Sequence, residues 1–249
     1  MNDRIKSLSK LLTGLSPRHD TFTVFSDFVA MTATSISNAV DRTNSAAREA
    51  AYMAIIKRYD RKEDLEVFPR AFAELTLALE DDMSDVLGRV FHELSLQNKW
   101  AGQFFTPDHI CRLMAGISLT DDLKQTIKDR GFIHASEPCV GSGAMKIALA
   151  HAMREAGFNQ QQTLHVTAVD VDIRAVHMAY IQLSLLHIPA VIVHGNALTL
   201  EEWSHWHTPA RVLGGWRFRI EPDKVTGIIA DSAPKAAGAP RGKGQLELF

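Results

Sequence analysis

Two regions of different periodicity predict an α/β protein: a helical N-terminal region, then a parallel, doubly wound sheet with helices between its strands. Residues 1–97 repeat apolar side chains at helical spacing, whereas beyond about residue 100 short apolar runs alternate with helical stretches. Where one of these runs passes into a helix lies a glycine turn, Glu137-Pro138-Cys139-Val140-Gly141-Ser142-Gly143.

In the first region Val24, Phe25, Phe28, Val29 and Ile36 form one helical stripe, and Tyr52, Ile55, Ile56 and Tyr59 another. Leu65, Phe68, Phe72, Leu75 and Leu79 follow, then Val86, Leu87, Val90, Phe91 and Leu94. Asp20 or Thr21, and Ser84, have the chemistry of N-caps. No fixed-period repeat is present, which excludes a solenoid.

In the second region a helix is expected over residues 107–117, since proline is tolerated in a first turn. Residues 131–135 read as a short strand, 144–155 as a helix, 164–169 as a buried strand, 173–186 as a helix and 191–194 as a third strand. Residues 199–223, rich in tryptophan and arginine, read as a loop, and 225–230 as one more strand. The small, Pro/Gly-rich, basic stretch 235–244 is expected to be disordered.

With 249 residues, 46% hydrophobic and 22% charged, the composition is that of an ordinary globular protein. A net charge of −2 is not that of a protein gripping duplex DNA through many phosphates. Any DNA contact must use a segregated basic face, be weak, or be borrowed from a partner. Cys111 and Cys139 lack metal-ligand spacing and read as reduced thiols of a cytoplasmic protein. Of the eleven histidines none forms a helical metal-binding pair with a nearby acid, and His205 and His207 read as surface or packing residues. No signal-peptide core and no apolar run approaching about 18 residues is present, so no membrane span is expected.

Three segments carry chemistry. Gly102-Gln103-Phe104-Phe105-Thr106-Pro107 opens a helix, the glycine turn follows about thirty residues on, and Ala168-Val169-Asp170-Val171-Asp172 ends the next strand. Glycines at a strand-to-helix turn let a ligand approach the backbone closely, although any such turn can use Gly-Ser-Gly for packing alone. An acid ending the second strand can accept both ribose hydroxyls of a nucleoside, and Glu137 can face the ammonium of an amino-acid moiety. A third glycine at dinucleotide spacing and a phosphate-binding Lys-Ser/Thr are both missing, which argues against NAD and nucleoside triphosphates.

Taken together, the segments resemble the N6-adenine DNA methyltransferases, above all the modification subunits of type I restriction systems. Gln103 to Pro107 is similar to their Gln-Phe-Tyr-Thr-Pro segment, and Glu137 to Gly143 to their Asp-Pro-x-x-Gly-Ser-Gly. Asp170 matches the ribose-binding acid, Leu183 to Ile188 a helix end, and His194-Gly195-Asn196-Ala197-Leu198 a motif normally reading His-Gly-Asp-x-Leu. The resemblance spans roughly residues 85–232. It implies a Rossmann-like S-adenosylmethionine-dependent methyltransferase fold with a partial parallel sheet, preceded by the helical region. The implied division is 1–98 helical, 99–234 cofactor-binding and 235–249 a flexible tail. Phe104, Phe105, Thr106, Glu137, Pro138, Gly141, Gly143, Asp170 and Asn196 would surround S-adenosylmethionine, and the Gln-Phe-Phe-Thr-Pro segment argues against a small-molecule or RNA methyltransferase.

The resemblance fails at the catalytic motif. The family reads Asn/Asp-Pro-Pro-Tyr/Phe after its fourth strand, holding the adenine amino group and stacking on the flipped base. Here the segment in that place reads Asp231-Ser232-Ala233-Pro234. Asp231 and Pro234 are the catalytic candidates, and Asp231 can accept one amino hydrogen, but the stacking aromatic is missing and the prolyl backbone is altered. Two readings stay open. Either Asp231 works with an aromatic borrowed from Trp203, Trp206 or Trp216, or the pocket survives and the chemistry is lost. Base stacking worth about 1–3 kcal/mol favours the second, and the tryptophans could simply cover an exposed sheet edge.

Finally, Gln245-Leu246-Glu247-Leu248-Phe249 closes an otherwise polar tail on apolar side chains. It resembles the pentapeptide by which bacterial replication and repair proteins dock on the DNA sliding clamp. Gln245 would bond at the pocket rim, and Leu246, Leu248 and Phe249 would fill it. The alternative is that the tail folds back on this protein's own sheet. Clamp tethering would supply DNA proximity to a chain of neutral charge.

Overall fold

The computed structural model describes residues 3–16, 18–96 and 106–220, and the backbone of residues 245–247. Its N-terminal region comprises α1 (Asp3–Thr13), α2 (Thr21–Val40), α3 (Ser45–Ile56), α4 (Lys62–Leu65), α5 (Val67–Asp81) and α6 (Val86–Glu93). The stripes legible in the sequence are the buried faces: Val24, Phe25, Phe28 and Val29 of α2, Phe68, Leu75 and Leu79 of α5, and Val86, Leu87, Val90 and Phe91 of α6. Asp20 caps α2 as expected, accepting from the Thr23 amide at 3.2 Å. The cap of α6 is Asp85 and not Ser84. The helix begins one residue later than the sequence predicts, and the Asp85 carboxylate accepts from the Gly88 amide at 2.8 Å.

The second region comprises α7 (Asp108–Ser118), α8 (Asp121–Arg130), β1 (Ile133–Glu137), α9 (Ala144–Glu155), α10 (Gln160–Thr163), β2 (Leu164–Asp170), α11 (Ile173–Leu185), β3 (Ala190–Asn196), β4 (Glu201–His207), α12 (Pro209–Leu213) and α13 (Trp216–Ile220), with β5 (Gln245–Glu247) near the C-terminus. The sheet order is β4-β3-β2-β1-β5. β1, β2 and β3 are parallel and joined through helices, as buried strands with crossover connections require.

Of residues 199–223, those described, 199–220, are not the expected loop. β4 pairs antiparallel with β3, and α12 and α13 follow it. The strand was hidden because its alternation is carried by polar and aromatic residues, Glu-Glu-Trp-Ser-His-Trp-His, of which Trp206 points into the core. On the other side of β1, the backbone of β5 lies parallel, pairing Gln245 with His134, Leu246 with Ala135 and Glu247 with Ser136. The tail thus returns to this protein's own sheet. Residues 225–230, expected as a strand, and 235–244, expected as disordered, lie outside the described residues.

One continuous apolar core runs from Ile5, Leu8 and Leu12 of α1 to Ile192 and Trp206 of the sheet. Arg48 of α3 ties the two regions together from a buried position. Its guanidinium donates to Asp41 at 2.7 Å, to Ser37 at 2.6 Å and to the His205 carbonyl at 2.7 Å, and lies 4.2 Å from the Trp206 ring. No described helix is long and apolar enough to cross a membrane.

Candidate functional site

β1 delivers the chain to the glycine turn. The Val140 amide donates to the Val169 carbonyl of β2 at 2.9 Å, so the turn is pinned to the neighbouring strand before α9 begins. Gly141 has φ +55° and Gly143 φ +97°, the left-handed region open to glycine. A Cβ at Gly143 would also lie 3.4 Å from the Ala179 backbone, so α11 packs directly against the turn. Pro138 and Cys139 form an exposed lip, and Ser142 is buried.

The structure brings Asp170 to this turn. One of its carboxylate oxygens accepts from the Gly141 amide at 2.8 Å, and the other from the Asp172 amide at 3.0 Å. Burial pushes the Asp170 carboxyl up, and the bonds from Asp172 and Gly141 hold that rise back. Asn196, at the end of β3, uses its side-chain oxygen to cap the following turn, accepting from Leu198 at 2.9 Å and Thr199 at 3.3 Å. Glu137, Gly141, Asp170 and Asn196 therefore share the carboxyl ends of three adjacent parallel strands, where open sheets of this kind bind ligands. Thr106 stands exposed at the start of α7, its carbonyl facing the Cys111 thiol at 3.6 Å. Phe104, Phe105, Asp231 and Pro234 lie outside the described residues, as do Leu248 and Phe249, and only the backbone is described for Gln245 and Leu246.

Three functional side chains escaped the sequence reading. Asp85 accepts from the Ser142 hydroxyl inside the turn and from the Gln182 side-chain amide of α11 at 2.8 Å. Gln182 also donates to the Ser142 carbonyl at 2.8 Å and accepts from the Leu87 amide at 3.0 Å. All three residues are buried, so the cap of α6 is also the prop of the glycine turn. A Cβ at Gly88 would lie 1.9 Å from an Asp85 oxygen, so any larger residue there displaces this carboxylate. Asp85, Gly88 and Thr106 line one cavity of about 610 Å³, between α1, α6 and the start of α7, whose lining includes no residue of the glycine turn. The signal available in the sequence was Asp-x-x-Gly at a helix start.

The third missed residue is Lys146, the ion-pair partner of Glu137. The expectation was a carboxylate turned toward a ligand's ammonium. In the structure the Lys146 ammonium lies 3.1 Å from Glu137, an ion pair rather than an aligned hydrogen bond, with Lys146 only 1% exposed. Burial pushes the Glu137 carboxyl up and the Lys146 ammonium down, and each partner opposes the other's shift. A lysine between the apolar residues that open this helix, Ala144, Met145, Ile147 and Ala148, was the legible clue.

His134 and His165 are packed within the sheet. The rings of His134 and His165, register partners on β1 and β2, lie 5.1 Å apart, and Trp216 covers His165 at 5.6 Å. No metal-binding group of three or more ligands occurs among the described residues. Two of the tryptophans considered for base stacking are committed elsewhere: Trp206 lies against His177 and Tyr180, and Trp216 donates to the Gln161 carbonyl at 3.2 Å. Both are buried. Trp203 is 51% exposed and packs edge-on to His194.

A family model described as N-6 DNA Methylase matches residues 79–220. Similar solved structures include one described as a class I S-adenosylmethionine-dependent methyltransferase of Listeria monocytogenes, 16% identical with a TM-score of 0.43, over 80% of this chain and 55% of that one. Another is a type I restriction-modification methyltransferase subunit of Streptococcus thermophilus, 13% identical with a TM-score of 0.35, over 76% of this chain and 58% of that one. The chain therefore covers less than three-fifths of the length of either. No curated protein matches it.

Proposed function

The chain belongs to the N-6 DNA methylase family, and from that premise we propose that it binds S-adenosylmethionine at the carboxyl ends of β1, β2 and β3. The observation that carries the reading is the Asp170–Gly141 bond, which joins the acidic strand end to the glycine turn. Each Asp170 oxygen accepts one of these backbone amides and can accept again, which fits a ribose diol. The positive φ of Gly141 and Gly143 fits a turn whose backbone a ligand can approach. Asn196 would border the adenine, and Phe104 and Thr106 the methionine, as the resemblance implies. When bound, the cofactor supplies a sulfonium-activated methyl group.

Transfer of that methyl to DNA adenine we read as lost or strongly reduced. Asp231-Ser232-Ala233-Pro234 lacks the stacking aromatic, and the packing of Trp206 and Trp216 leaves Trp203 as the only exposed substitute among the three. Titration calorimetry tests the binding: Asp170→Ala should weaken S-adenosylmethionine about tenfold or more, in line with a charge-assisted hydrogen-bond pair. Absence of heat at millimolar cofactor with the unaltered protein sinks the reading. Transfer of tritiated methyl to unmethylated DNA, abolished by Asp231→Ala, would restore the enzyme.

A second reading rests on the sequence of the C-terminal peptide alone, since β5 returns to this protein's own sheet. Residues 245–247 pair there with β1, so β1 and a partner pocket would compete for them. The partner is the bacterial sliding clamp, through Gln245, Leu246, Leu248 and Phe249, with DNA reached indirectly. Surface-immobilised clamp should capture the full chain and lose it on deletion of residues 245–249. Equal capture of both would exclude this route.

A further inference from the structure

The ion pair at the base of the glycine turn bears on what the pocket can read. Lys146 occupies the first turn of α9, where the amides at the positive end of the helix disfavour a cation. It is buried beside Ile147, Ala148 and Leu149, among which an unneutralised ammonium is costly. Its counterion is Glu137, the last residue of β1, one position before the exposed Pro138 lip. A ligand whose ribose sits on Asp170 would bring an amino-acid ammonium toward this same carboxylate. That ammonium would meet Lys146 across one carboxylate already paired at 3.1 Å. Two cations sharing one buried anion repel at short range, and the lysine has no open route to solvent at 1% exposure.

We propose that Lys146 is the resident occupant of the ammonium subsite at Glu137, so that the pocket holds thioether nucleosides by their nucleoside half and gains little from their amino-acid half. The proposal rests on the S-adenosylmethionine-pocket reading above and assigns Lys146 as a specificity-determining residue within it. Asp170 is held by the Gly141 and Asp172 amides and by neither member of the pair, so nucleoside recognition should be retained whatever stands at position 146.

The test compares two ligands differing only in the amino-acid portion, S-adenosylhomocysteine and 5′-methylthioadenosine, by calorimetry. With the unaltered protein the two should bind within a few-fold of each other. Lys146→Met, which keeps the stem and removes the charge, should tighten S-adenosylhomocysteine by about tenfold or more, as close charge pairs do, and leave 5′-methylthioadenosine unchanged. The neutral double variant Glu137→Gln/Lys146→Met guards against misfolding of the single one, because it leaves no charge buried alone. It should bind both ligands as the unaltered protein does. A preference for 5′-methylthioadenosine gained by the double variant would show that Glu137 already reads the ligand's ammonium, and would overturn the proposal. So would a Lys146→Met protein that binds both ligands with unchanged affinities. If no variant binds either ligand, the pocket reading itself fails and this inference falls with it.

Discussion

Lowering the pH from 7.5 to 5 is expected to cost this fold several kcal/mol of stability. His165, His177 and His207 are the cause. Burial pushes their imidazoles down to about 2, about 3 and about 4, against an ordinary value near 6.5, and nearby histidines and arginines push the same way. A depressed imidazole stays neutral in the folded state while the unfolded chain takes up the proton. The stability it carries is therefore complete above about pH 6.5 and drains away as pH falls toward the folded values. Each such group contributes a loss of about 1.4 kcal/mol per pH unit, so at pH 5 the three together remove roughly 6 kcal/mol. That rivals the whole stability of a typical domain, about 5–15 kcal/mol. The carboxyls of Asp27, Glu137 and Asp170, pushed up by burial, act in the opposite sense and offset part of the loss. Urea unfolding at half-unit pH steps measures the slope. His165→Phe, whose ring keeps the contact with Trp216, should reduce that slope by close to one proton. A flat stability between pH 7.5 and 5.5 would show that these rings find solvent or partners in the folded protein.

The difference between what the sequence disclosed and what it withheld follows from the range of the interactions. α9 is expected and observed over the same residues, and β2, α11 and β3 differ by one to a few at their ends, because strand and helix there have the clean apolar periodicities that burial imposes. Asp170 and the glycine turn come together because parallel strands joined by a helix bring their carboxyl ends side by side, whereas the bond from the Gly141 amide to Asp170 is announced by no local pattern. β4 was missed because its buried face is one tryptophan among glutamates and histidines. Its strand identity comes from pairing with β3, a partner that no local pattern announces. Lys146 and Gln182 were missed for the same reason. Each looks like an ordinary helix residue until the fold sets it against Glu137 or Asp85.

Asp85→Ala is expected to be the most damaging single substitution at the site, although Asp85 lies in the helical region, far in sequence from the turn it supports. It removes the acceptor for three buried donors at once: the Gly88 amide, the Ser142 hydroxyl and the Gln182 side-chain amide. A buried donor left unsatisfied costs about 1–3 kcal/mol, and the Gln182 amide and Ser142 hydroxyl can turn to other partners only in part. A loss of about 3–5 kcal/mol follows, against about 1 kcal/mol for Ser142→Ala, which leaves the carboxylate with its other two donors. Gly88→Ala should approach the Asp85→Ala value by a different route, its new methyl forcing the carboxylate off the helix start. The consequence for function is distinct from the loss of stability. With Asp85 gone, Ser142 and the backbone on either side of it lose the support that fixes the Gly141 amide toward Asp170, so ligand affinity should fall even at temperatures where the protein stays folded. Denaturant unfolding combined with calorimetry separates the two effects. The double variant Asp85→Ala/Ser142→Ala should show a coupling of about 1 kcal/mol or more, as contacting residues in one network do. Additive losses would mean that the turn holds its shape without the helical region.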